Sequence, residues 1–350
     1  MKKNGYIAFA LAILSVSCAK ETGREVDSIE PGSDISFGAT TGYLNAEETR
    51  TIYSGEPYYT VTGSSNHYER IDWVPGQDDM TIWYNQQSGA GTYVVTGVNG
   101  ASDENSYAQI EPVSGKLRWG SGSSHIFHAM YPKNGINNEL TSSGGVSGTI
   151  PGTQTIAYNA SKGKYLPDMA YAYMVAYAGN GQISQGQVDL PFTPAMTAFE
   201  FRLQRRENDA DVVRLTQFEL CSESAPLTGT FAFNITGGDS RGATWVKTVS
   251  DNVSTGTVLS STGTSITAAF PSGGVSIPAH GGTEYLDFTV FALPVSLTGL
   301  SVRLTFNDGS KVAIPLKDDS MTYHVFDPCK KHIITNTDVP DQDWEYVLGN

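Results

Sequence analysis

Cysteine is scarce in this 350-residue chain: Cys18, Cys221 and Cys329 are all there is. Three thiols cannot frame a disulfide-stapled fold, so the structure must rest on hydrophobic cores. Basic residues are short as well, 22 Lys and Arg against 36 Asp and Glu, for a formal charge of −14. An acidic chain of this kind excludes nucleic acid and an anionic lipid face as electrostatic partners. The apolar stretch from Tyr6 to Leu14 is far too short to span a bilayer. Helical periodicity is missing too: the segment Ala195 to Ala225 is free of Gly and Pro, yet alternates with period two around a polar middle, Arg205 to Asp211.

What is present begins with Lys2 and Lys3, that apolar stretch, and Leu14-Ser15-Val16-Ser17-Cys18. A small-residue run ending in cysteine departs from the A-x-A pattern of ordinary signal peptides and resembles the lipobox of bacterial lipoproteins. The resemblance implies that residues 1–17 are a signal peptide, removed ahead of an acylated Cys18; the alternative is a plain signal peptide that contains a cysteine. Losing Lys2 and Lys3 takes the charge from −14 to −16, so the tether has to come from acyl chains. Residues 18–34, with Glu21, Glu25, Asp27, Glu30 and Asp34, read as an acidic stalk.

Strand patterns fill the rest, which reads as all-β. Ile35, Phe37 and Ala39 alternate with Ser36 and Gly38; Met80, Ile82 and Tyr84 alternate with polar or aromatic neighbours. Ala170 to Tyr177 alternates small with large, and the same rhythm recurs at Phe199–Leu203, Phe231–Ile235 and Leu286–Val290. Leu300–Phe306 turns at Asn307-Asp308-Gly309-Ser310 into Val312–Leu316, a hairpin. A second hairpin is expected between Thr197–Gln204 and Val212–Cys221, with a bulge near Thr216 where the phase slips. Gly135 to Gly152 reads as a long loop, Asn252 to Ser265 as a polar stretch, and Asp189–Pro194 as a break between domains of residues 35–189 and 190–350. Turn residues every eight to twelve positions suit sandwiches.

Nothing here reads as an active site. Gly238-Asp239-Ser240-Arg241-Gly242 matches the hydrolase elbow, but no helical pattern follows Ser240. His125 and His128, three apart on a strand, face opposite sides. Glu207, Asp209 and Asp211 lack the glycine and closing glutamate of a calcium loop. No metal or cofactor is therefore expected. Cys221 and Cys329 either pair or act as small buried apolar side chains. Five tryptophans and 18 tyrosines pack a core or stack on glycans. The tail places Trp344, Tyr346 and Leu348 on one strand face, able to cover an edge in its own sheet or in another subunit's.

Beyond Cys18 and Ile35-Ser36-Phe37, the chain carries Thr49-Arg50-Thr51, Ile71-Asp72-Trp73-Val74-Pro75-Gly76-Gln77-Asp78, Ala129-Met130-Tyr131-Pro132, Ile150-Pro151-Gly152-Thr153-Gln154, Leu166-Pro167-Asp168-Met169 and Leu190-Pro191-Phe192. In that order these segments resemble the fimbrillin-family lipoproteins of the Bacteroidales, the type V pilins and their Mfa-like relatives. The resemblance implies two tandem transthyretin-like β-sandwiches on a surface fimbrium, anchored by lipid to the outer membrane. It further implies an arginine-specific protease acting between Arg50 and Thr51, which would remove Cys18 together with the Ile35–Ala39 strand. The Trp344–Leu348 strand would then be the donor to a neighbouring subunit. Other fimbrial subunits and a host or bacterial surface ligand are the partners so implied. The alternatives are an uncut Arg50 at the surface and a monomeric lipoprotein that binds glycans.

Overall fold

The computed structural model describes residues 29–41, 59–60, 67–68, 72–101, 106–160, 164–204, 214–235, 257–271, 273–278, 283–317, 322–326 and 331–335. Cys18, Arg50, Thr51, Ser240, Cys329 and Trp344, Tyr346 and Leu348 lie outside them, as do Glu207, Asp209 and Asp211.

Among the described residues there are 24 strands and two single-turn helices. The strands are β1 (Ser36–Thr41), β2 (Tyr59–Thr60), β3 (His67–Tyr68), β4 (Asp79–Tyr84), β5 (Gly91–Ala101), β6 (Ser106–Ser114), β7 (Phe127–Tyr131) and β8 (Glu139–Leu140). They continue as β9 (Gly145–Ile150), β10 (Thr153–Asn159), β11 (Lys164–Pro167), β12 (Met174–Ala178), β13 (Ile183–Ser184), β14 (Gln187–Pro194), β15 (Thr197–Leu203) and β16 (Arg214–Ser222). The last are β17 (Thr228–Asn234), β18 (Thr257–Gly263), β19 (Ser265–Ala269), β20 (Val275–Ser276), β21 (Leu286–Ala292), β22 (Leu300–Phe306), β23 (Lys311–Pro315) and β24 (Lys331–Thr335).

The first body is one ladder closed on itself, in the order β1-β6-β5-β4-β7-β12-β14 and back to β1, with β13 beside β14. The sandwich expectation implied two separate sheets; period-two alternation specifies an inward face but not whether the sheet curls to meet its own edge. Every strand of the ring contributes to one interior, including Phe37, Ile82, Val95, Ile110, Phe127, Ala176 and Leu190.

A two-sheet sandwich forms the second body. The sheet β11-β10-β19-β16-β22-β23, with β20 beside β16, and the sheet β21-β15-β24 enclose Phe199, Phe201, Phe218, Leu220, Phe288 and Leu304. A further sheet, β18-β17-β9-β8, lies over a third cluster that joins Met130 and Val175 of the barrel to Ala198 and Phe291 of the sandwich.

The domain break anticipated at Asp189–Pro194 is instead strand β14, and residues 189 and 190 fall inside it. Proline normally avoids interior strands because it has no N–H to give. Here β13 pairs with β14 at positions 187–188 and β12 at 193–194, so Pro191 sits opposite the gap between them, where no ladder bond is lost on that side. The crossing to the second body occurs at Ala195-Met196, both buried. Strands β9 and β10, inside the segment assigned to the first domain, pair with β17 and β19 of the second half.

The hairpin expected between β15 and β16 does not form. Each joins a different face of the sandwich, β15 between β21 and β24, β16 between β19 and β22. The bulge does form: the β16–β22 register slips between Leu215 and Gln217. The β22–β23 hairpin is also present, with Gly309 at φ +86° and Asp308 accepting from the Ser310 N–H at 2.8 Å. At 169–171 a single 3-10 turn, capped by Asp168 on the Ala170 N–H, replaces the first part of the strand expected from Ala170.

Candidate functional site

Closing a ring of seven strands imposes a parity constraint. Six of its joints are antiparallel, and an odd ring cannot close on antiparallel joints alone. The remaining joint is β1 against β14, which is parallel from Ser36↔Gln187 to Thr41↔Phe192. On its other edge β1 runs antiparallel to β6, from Phe37↔Ile110 to Thr40↔Tyr107. Parallel pairing is slightly weaker per residue. The strand nearest the amino end of the described chain thus occupies the barrel's one parallel seam.

Sequence makes β1 a strand with two distinct faces. Ile35, Phe37, Ala39 and Thr41 are all at most 4% exposed, whereas Ser36 faces solvent and Gly38 and Thr40 are half-buried. The Phe37 ring meets Tyr93 edge-on at 5.0 Å and Phe127 at 5.5 Å. Along β14 the inward partners change size in step: Val188 beside Phe37, Leu190 beside Ala39, Phe192 beside Thr41. From Phe37 to Ala39 the β1 side chain shrinks as its neighbour grows from Val188 to Leu190, and at the next pair Thr41 lies beside the larger Phe192.

Polar contacts hold the outer face. Thr40 donates to Asp189 at 2.7 Å. Ahead of the strand, Asp34 pairs with Lys116 at 2.6 Å and Arg118 at 3.3 Å, and these cations hold its carboxyl below the usual range, chiefly through the Lys116 hydrogen bond. Backbone bonds Gly32 N–H to Trp119, Ile35 N–H to Leu117 and Trp119 N–H to Ser33 continue the ladder upstream. The last residues of the expected stalk are therefore docked on the barrel.

No family model matches the sequence, and no curated protein matches it. Among solved structures the chain is similar to a candidate cell adhesion protein of Bacteroides uniformis, at 13% identity and TM-score 0.45, covering 83% of this chain and 88% of that one. It is likewise similar to a candidate cell adhesion protein of Bacteroides ovatus, at 12% identity and TM-score 0.46, over 87% and 99% of the two chains. A fimbrial protein of Bacteroides vulgatus overlaps at 11% identity and TM-score 0.29, over 74% and 89%. These overlaps are loose, and the closed ring is read from this chain's own ladder.

Several sequence segments turn out to be joints. In Trp73–Asp78 the Asp78 carboxylate accepts from the Val74 N–H at 2.6 Å and the Tyr131 hydroxyl at 2.9 Å, which folds the turn into β4. Burial pushes that carboxyl up. Ile150–Gln154 carries the chain from β9 to β10. There the Gln154 amide donates to the Phe291 carbonyl at 2.6 Å and accepts from its N–H at 2.9 Å, a side chain acting as a strand partner for β21.

His125 and His128 do face opposite sides. His125 lies inside, against the Tyr84 hydroxyl at 2.5 Å and the Trp119 ring at 5.0 Å, while His128 packs on Tyr177 at 5.6 Å outside. Burial lowers the pKa of both. No cluster of His, Cys, Asp or Glu able to hold a metal occurs among the described residues. Cys221 is a free, half-buried thiol on the outer face of β16, between the inward Leu220 and Ser222. Period-two reading did not find the ionic cluster on β15: Glu200 and Lys331, both 0% exposed, are in contact, and Arg202 donates to Glu200 at 2.7 Å. The E-F-R alternation of Glu200-Phe201-Arg202 resembles any half-buried strand, so no sequence signal marks it.

Proposed function

We propose that this chain is a fimbrial subunit, exported as a lipoprotein on Cys18, in which β1 is a removable plug. The observation that carries the reading is the position of β1. It lies upstream of every other strand of the barrel, sits at the single parallel seam, and fills an apolar slot with Ile35, Phe37 and Ala39. Cleavage between Arg50 and Thr51 would separate β1 from the barrel while leaving β4 to β14 intact. Its departure would bare the edges of β6 and β14 and the trench between them, and a strand from another subunit would satisfy all three. Such a subunit works by assembly at the cell surface and needs no catalytic group or cofactor.

Glycan binding through exposed aromatics finds less support. Trp73 and Trp119 are 3% and 4% exposed and belong to the barrel interior. The decisive experiment treats the lipid-free protein with an arginine-specific protease and follows the product by mass spectrometry and size-exclusion chromatography. A product starting at Thr51 that polymerises as the 18–50 fragment departs is expected. A nicked protein that keeps β1 and remains monomeric overturns the reading.

A further inference from the structure

We propose that Lys331 and Glu200 condense into an amide, a covalent cross-link between β24 and β15 in the second body. The reaction needs no partner beyond these side chains and their neighbours, and it expels one water molecule. It is independent of β1 and of how subunits assemble.

Strands β15 and β24 run parallel, with Ala198 opposite Lys331 and Glu200 opposite Ile333, so Lys331 and Glu200 share one face of the sheet. That face is not the one filled by Phe199 and Phe201; it is the face on which Ala198 and Phe291 pack into the joint with the barrel. On β21, Thr289 lies opposite Glu200 and Asp287 opposite Arg202. Lys331 and Glu200 are both 0% exposed, and Lys331 Nζ is in contact with Glu200 Oε2. Arg202 Nε donates to the other carboxylate oxygen, Oε1, at 2.7 Å, and stands 4.0 Å from Asp287 Oδ1.

Each group has a part in the reaction. With one proton passed to Oε2, Lys331 Nζ carries a lone pair, and a lysine amine removed from water is a competent nucleophile. Attack at Glu200 Cδ forms the C–N bond and moves charge onto Oε1, where the Arg202 N–H already points. A second proton passes from nitrogen to Oε2, the Cδ–Oε2 bond breaks, and water leaves. The third ammonium proton stays on the amide nitrogen, so an ammonium and a carboxylate become a neutral amide and water. Holding amine and carboxyl in contact removes the entropic cost of bringing them together. The dry site also withholds the water that would reverse the step.

The charge pattern points the same way. A buried ion pair gives little net stability, because desolvating two charges offsets their attraction. Here Lys331 and Arg202 balance Glu200 and Asp287. Condensation removes one charge of each sign and leaves Arg202 beside Asp287, the less buried of the two acids. The bond also closes a covalent loop that contains β16 to β23. A pull applied ahead of Glu200 and beyond Lys331 would then bypass all of those strands.

Intact-mass spectrometry of the lipid-free protein, unfolded just before measurement, tests the proposal. A mass one water below that of the sequence is expected, with a branched tryptic peptide that joins Glu200 to Lys331 and is uncut after Lys331. Lys331→Arg keeps a cation at the site but cannot form this amide, and should show the full mass. The wild-type chain alone gives the answer, so a variant that fails to fold does not blunt the test. A full-mass protein that trypsin cuts after Lys331 overturns the inference and leaves an ordinary ion pair. A missing water traced to any other linkage overturns it equally.

Discussion

Replacing Phe37 by alanine tests whether β1 is structurally part of the barrel. Its ring is 1% exposed and touches Tyr93 and Phe127 edge-on, in a core too dense to collapse around the void. A buried Phe→Ala change costs about 3–5 kcal/mol, transfer and cavity together. For a body of this size that corresponds to a Tm lower by about 6–20 °C. Ser36, next along the strand, points to solvent, and Ser36→Ala should stay within about 0.5 kcal/mol. The assay is urea and thermal unfolding of the uncleaved protein, followed by tryptophan fluorescence. Trp73, edge-on to Tyr131 and Phe192 inside the barrel, reports on that body. If Phe37→Ala and Ser36→Ala are indistinguishable, the strand lies loosely on the outside and the reasoning fails.

Three further outcomes are expected. Because burial depresses the imidazoles of His125 and His128, the folded state binds fewer protons than the unfolded chain; stability is full above about pH 6.5 and drains as pH falls through that value toward the lowered folded pKa. A urea midpoint that stays flat from pH 8 to 5 would contradict this. Gln154→Ala removes both amide bonds to Phe291 and should cost about 1–3 kcal/mol, read from the second body's unfolding. Lys331→Met removes one of the two cations that hold the fully buried Glu200, leaving Arg202 alone on it, and should cost up to about 3–5 kcal/mol, whereas Glu200→Leu combined with Lys331→Met, with Arg202 still facing Asp287, should cost markedly less; equal losses would refute the pairing.

Alternation located most core faces but little of the pairing. Phe199, Phe201 and Leu203 point inward as expected, yet the same pattern fits a hairpin with β16 and the observed place between β21 and β24, because period two encodes a face and not a neighbour. The β22–β23 hairpin was legible because its turn chemistry is local. Strand β9 was hidden by its own glycines. Gly148 reads as a turn residue, but a side chain there would lie 2.6 Å from the Tyr173 hydroxyl and 2.7 Å from the Phe231 ring, so the glycine serves close packing within a strand. At the candidate site, Ile35, Phe37 and Ala39 were legible as a buried strip. That the strip is the closing stave of a ring was not, since it depends on β14, some 150 positions away.

The two-residue crossing from β14 to β15 has a mechanical consequence. Strand β14 forms one wall of the slot, and after Ala195 and Met196 the backbone continues as β15, the central strand of the β21-β15-β24 sheet. If a strand from another subunit lodged in that slot as proposed, tension entering through it would meet no slack linker at this crossing, since Ala195 and Met196 are both sunk in the shared apolar joint. A thread of such subunits would be stiff at the waist of each bead and would yield first where one bead grips the next.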